Sequence, residues 1–131
     1  GQQTLSDEVT SLTTITSTSW STLASLSGVA ASDTDNDLLL TFTGNFDDRG
    51  GQNGAYLEIQ MIQGTSTVLD SSTVIINDPN YYQSQDVAIS HRLSAPGTGS
   101  NNYSVRVRVK TNPYTSGRCT GGSLEIVEID K

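Results

Sequence analysis

A single cysteine, Cys119, excludes an internal disulfide framework. The expectation is a fold that does without disulfides and suits assembly in a reducing cytosol. Long apolar runs are also missing. The longest stretches are only a few residues, against the ~20 that a membrane-spanning helix needs, so no membrane insertion is expected. Charge is scarce at 16% of residues, where ~25% is usual. Ser and Thr fill the gap, as strand faces and turns of an all-β protein allow. Basic residues are few, seven against fourteen acidic, for a net charge of −7. A pI near 4.3 argues against nucleic acid as the main partner, and none is expected. The start lacks a basic and then apolar leader. Gly1 commonly remains after an initiator Met is trimmed, which suits a complete small protein, with a tag scar or an excised domain as the equal alternatives. No segment holds helical periodicity over ten or more residues, and no internal repeat is visible.

Hydrophobic content is 34%, low for a compact monomer when average usage is roughly 45–50% even counting Gly. Large subunit interfaces can supplement so modest a core. At 131 residues the chain fits one domain.

Tyr103 to Lys110 is the most informative stretch. Tyr103, Val105, Val107 and Val109 alternate with Ser104, Arg106, Arg108 and Lys110. A period of two places the apolar set on a core and the cationic set on the opposite face. Three of the seven Lys and Arg residues sit here. Arg106, Arg108 and Lys110 are therefore candidate contacts for an acidic partner.

Other strands follow from the same pattern. Leu38–Phe46 presents Leu38, Leu40 and Phe42 on one face and Leu39 on the other. Ala55–Gln63 sets Leu57, Ile59 and Met61 against Tyr56, Glu58 and Gln60. Gly64-Thr65 reads as a hairpin turn into Ser66–Asp70, with a short strand at Thr73–Ile76. Asp86–Leu93 alternates Val87, Ile89 and His91 with Ala88 and Ser90, and Leu124–Ile129 is apolar on both faces. Thr13–Leu23 is β-prone. The stretches 47–54, 95–102 and 112–122 read as loops. About eight short strands with these turn signals predict an all-β, jelly-roll-like antiparallel β-sandwich over residues 13–131. Residues 1–12 are polar and read as an N-terminal arm.

Catalytic chemistry finds little support. Asp33, Asp35 and Asp37 alternate as in a calcium loop, but an EF-hand pattern fails because Leu38 and Gly44 stand where its Gly and Glu belong. No Ser–His–Asp arrangement assembles around His91. Cys119 beside Arg118 lacks a second Cys or a supporting motif. The chain reads as a non-enzyme with no cofactor and no metal. Tyr81, Tyr82 and Tyr114 fall in loops, where tyrosines offer contact area for sugars or proteins. The competing reading has them capping the core or stacking at a subunit interface.

Four segments carry a resemblance: Thr16-Ser-Thr-Ser-Trp20 leading to Leu26-Ser-Gly28, Leu38-Leu-Leu-Thr-Phe-Thr-Gly44, Pro96-Gly-Thr-Gly-Ser-Asn-Asn-Tyr-Ser-Val-Arg-Val107, and Gly122-Ser-Leu-Glu-Ile-Val-Glu-Ile129. Their order resembles the compact sandwich modules of tailed-bacteriophage virion proteins, jelly rolls similar to C1q and tumour necrosis factor domains that usually form trimers. The resemblance implies a structural or adhesive role on a virion surface, for a protein made in the host cytoplasm. It implies a homotrimer whose partners are the major capsid protein or another virion protein, with a host-surface glycan or protein as a further partner. A stalk is absent, which favours a capsid decoration (cement) protein gripping the shell by its arm. The alternatives are the receptor-binding head of a tail or head fibre and, from another class, a secreted carbohydrate-binding module.

Overall fold

The computed structural model describes residues 2–49, 54–76, 83–110 and 116–131. These residues form nine strands: β1 (Thr4–Val9), β2 (Thr13–Ile15), β3 (Ser21–Val29), β4 (Asp37–Asp47), β5 (Ala55–Gln63), β6 (Thr67–Ile76), β7 (Ser84–Leu93), β8 (Asn101–Val109) and β9 (Gly117–Ile129). Sheet A has the order β1-β9-β4-β7, with β2 also on β9, and sheet B the order β3-β8-β5-β6. Every pairing is antiparallel. Apart from the β1–β2 step and the β5–β6 hairpin, each connection crosses from one sheet to the other. That wrapping is a jelly roll whose first strand is broken into β1 and β2.

The period-two pattern decides which face is inside. Phe42, Leu40 and Ile126 of sheet A meet Ile59, Val105 and Val107 of sheet B, all buried. Each such side chain contributes roughly 1.5–3 kcal/mol by leaving water.

Three expectations differ from the structure. Residues 4–9 are no free arm: they pair along β9 from Thr4↔Val127 to Val9↔Gly122, and Leu5 and Val9 pack against the core. The apolar alternation there is real but short, and Asp7 interrupts it. Thr67–Ile76 form one strand rather than two, because a register shift between Met61 and Ile62 absorbs an extra residue that would break the pairing. Residues 117–122 belong to β9 rather than to a loop. Their glycines serve close backbone approach: a Cβ on Gly122 would lie 2.7 Å from the Thr43 carbonyl oxygen.

Side chains bridge the two sheets at each edge of the sandwich. Asp7 Oδ2 accepts from Ser25 N at 2.8 Å where β1 meets β3, and Asp70 Oδ2 accepts from Ser90 N at 3.0 Å where β6 meets β7. Carboxylates thus occupy strand N–H groups that would otherwise template edge-to-edge pairing.

Candidate functional site: the outer face of sheet B

The cationic residues of β8 point outward as the alternation predicts, and the register gives each a neighbour. Arg108 lies opposite Glu58, and Arg106 lies between Gln60 of β5 and Thr22 of β3. Arg108 donates through Nε to Glu58 Oε1 at 2.9 Å, and Lys110 Nζ reaches Glu58 Oε2 at 2.8 Å. The Lys110 and Arg108 charges hold the Glu58 carboxyl below its ordinary range, against the opposing effect of burial. Arg106 has no carboxylate partner among the described residues. Its Nε and Nη2 both donate to Gln60 Oε1, at 2.9 and 2.6 Å.

Trp20 completes the cluster. Val109 N donates to Ser17 O at 2.8 Å, which brings the β2–β3 connection alongside β8. The Trp20 ring then sits over both guanidinium groups, 4.4 Å from Arg106 and 4.3 Å from Arg108. Each such contact is worth about 0.5–1 kcal/mol at a half-exposed site. Tyr56 and the exposed Ile75 form the next row of the same face, paired across β5 and β6.

Sequence reasoning found Arg106, Arg108 and Lys110 but missed Trp20, Glu58 and Gln60. The polar face of β5 was visible in its alternation. Its pairing with β8 was not, because partner choice depends on the whole topology. Tyr81, Tyr82 and Tyr114 lie outside the described residues.

Two carboxylates at the opposite end are held tightly. Glu128 is fully buried and accepts from Asn36 Nδ2 at 2.6 Å, Ser32 Oγ at 2.7 Å and N at 2.9 Å, and Gln3 Nε2 at 2.7 Å. These neutral donors, Asn36 and Ser32 foremost, bring its pKa down to about 2. Asp37 is also brought to about 2, by the Ala95 amide and then Arg92. It bonds these two groups and Lys131, while Asp33 and Asp35 stay exposed in the turn. Among the described residues no group of three or more His, Cys, Asp or Glu side chains is placed to hold a metal ion.

A pH dependence follows. Both carboxyls titrate lower folded than unfolded, where Asp sits near 3.8 and Glu near 4.5. Their stabilisation is present above those values and lost as pH falls toward 2. Melting temperature is expected to hold from neutral pH down to about 5 and then drop steeply between about 4.5 and 2. A melting temperature unchanged down to pH 2 would contradict this.

Of the remaining residues singled out by sequence, Cys119 is buried, donates weakly to Gly121 O at 3.4 Å, and has its pKa raised by burial. His91 is half-buried on β7, opposite Leu40. Asp48 is buried, and neither of its carboxylate oxygens has a hydrogen-bond partner among the described residues.

No protein family and no curated protein sequence matches the chain. Solved structures do. A chain of the infectious bursal disease virus Gx strain is similar at 11% identity and a TM-score of 0.62, covering 96% of this chain and 32% of that one. A chain of the T13 particle of the same virus gives 12% identity and 0.57, covering 96% and 31%. The insecticidal delta-endotoxin Cry8Ea1 from Bacillus thuringiensis gives 9% identity and 0.51, covering 89% of this chain and 19% of that one. The chain thus spans about a third of the viral chains, and at these identities the likeness establishes the β-sandwich fold that it shares with chains of viral particles.

Proposed function

We propose that the protein is a structural component of a virion surface, a phage capsid decoration (cement) protein that assembles as a homotrimer on the major capsid protein. The observation that carries this reading is the jelly-roll order of the two sheets, together with its likeness over 96% of the chain to chains of viral particles. The role is non-catalytic. Cys119 is buried with a raised pKa, which disfavours a thiolate nucleophile.

Native mass spectrometry on the purified chain tests the assembly. The expected species is a trimer of 13.9 kDa subunits, held by an interface on the order of 2,000 Å² or more in total. A monomer throughout the micromolar range would contradict it.

One observation favours a second reading, the receptor-binding head of a fibre. The arginines of sheet B lie with Trp20 and Tyr56 on an outward face, and aromatic and Arg side chains are typical anchors of binding surfaces.

A further inference from the structure

The outer face of sheet B carries more positive charge than it neutralises. Among the described residues this face sets three cations, Arg106, Arg108 and Lys110, against one carboxylate, Glu58, which Arg108 and Lys110 share. Arg106 is held by the neutral amide of Gln60. This excess lies on a chain of net charge −7, so it is a local feature and not a general basicity. The guanidinium groups are also fixed in place. Hydrogen bonds from β5 hold their edges, and Trp20 covers both. Ordering already achieved in the free protein lowers the cost of binding. Arg106 leaves Nη1 with no partner among the described residues.

The surroundings narrow the ligand. Ser71 and Thr73 of β6 lie opposite Gln60 and Glu58, so uncharged hydroxyls flank the charged positions. Trp20 and Tyr56 supply aromatic surface on the same face. The partner that fits is a ring with one apolar face, hydroxyls at its edge and a single negative charge. A densely charged polymer such as nucleic acid would be repelled by the remainder of the chain. An acidic peptide would use the cations and leave the aromatic and hydroxyl groups without a role.

We infer that this face binds a carboxylate-bearing saccharide of the uronic acid type, a short segment with no more than one charge per ring. The carboxylate meets the guanidinium edge of Arg106, the apolar face of a sugar ring stacks on an aromatic side chain, and hydroxyls bond Gln60, Ser71 and Thr73. The inference rests on the second reading above, that this face binds, and needs neither trimer nor particle. Its failure is therefore distinguishable from failure of the virion assignment.

Trp20 is the chain's one tryptophan, so its fluorescence reports on the site alone. The full chain is titrated with tri-galacturonate, with its methyl-esterified form, and with a short poly-glutamate. The acid saccharide is expected to give a saturable change in Trp20 emission that weakens as salt is raised. The ester, identical but uncharged, is expected to bind at least about tenfold more weakly, the size of a lost charge-assisted hydrogen bond. Arg106→Gln is expected to weaken the acid by a similar factor with little effect on the ester. Arg106→Lys, which keeps the charge, is expected to recover part of the loss. Melting curves check that each variant is folded. Equal binding of acid and ester would overturn the role of the carboxylate. A response to poly-glutamate and not to the saccharide would overturn the ligand class in favour of an acidic protein segment. No response to any of the three would overturn the site.

Discussion

A chain lacking residues 1–10 is expected to melt far below the full chain. The truncation removes β1 from its pairing with β9, from Thr4↔Val127 to Val9↔Gly122. It takes Leu5 and Val9 from the edge of the core. It also removes Gln3, which donates to Ala30 O and to Glu128 Oε1, both at 2.7 Å, and accepts from Glu128 N at 2.8 Å. The ionised Glu128 then loses one of its donors at a buried position, and removing one partner of a buried charge is costly. Lost packing and lost strand pairing together are expected to cost on the order of 3 kcal/mol or more. Circular dichroism melting of the two chains, side by side, decides this. Coincident curves would mean that the segment is dispensable to the sandwich.

The second large effect is expected at Gly122. A Cβ there would lie 2.7 Å from Thr43 O and 3.2 Å from both Gly44 Cα and Phe42 Cζ. Two of these contacts are backbone atoms of the neighbouring strand, which cannot rotate away. β4 and β9 must separate locally, or the Phe42 ring must shift against a filled core. Gly122→Ala is expected to cost about 1–3 kcal/mol, the range for overpacking, and to lower the melting temperature by roughly 4 °C for each kcal/mol. Gly99→Ala is the control, since nothing lies within 4 Å of the added atom. Equal melting temperatures for the two variants would show that the strands have room that these distances deny.

Much of the fold was legible because alternation is a strong local signal. β5 runs over Ala55–Gln63 as its apolar and polar residues predict, and β8 buries Tyr103, Val105, Val107 and Val109 as its period requires. Where the sequence misleads, composition obscures period. Gly117, Gly121 and Gly122 read as loop residues, yet two of them allow strands to approach where a side chain would collide. Residues 4–9 contain only two apolar side chains, and their strand character comes from the β9 edge that receives them. Glu128 occupies an inward position beside Leu124 and Ile126, and only the folded arrangement of Asn36, Ser32 and Gln3 makes that tolerable.

The candidate site shows the same division. Its cations stand out because three basic residues cluster in an acidic chain. Trp20 is more than eighty positions from Arg106, and no spacing rule links them. They meet because β3 and β8 are neighbours in sheet B and Thr22 falls opposite Arg106. Sheet order is a property of the whole chain, so a site built across strands escapes a strand-by-strand reading.

The virion assignment is tested most directly on the particles. Particles from a culture that carries this gene are purified by density gradient, and their proteins are quantified by peptide mass spectrometry. The account predicts peptides of this chain in the particle band, in a fixed ratio to the major capsid protein that persists through repeated banding. Abundant expression in the same culture, with the chain absent from the particle band, would contradict it.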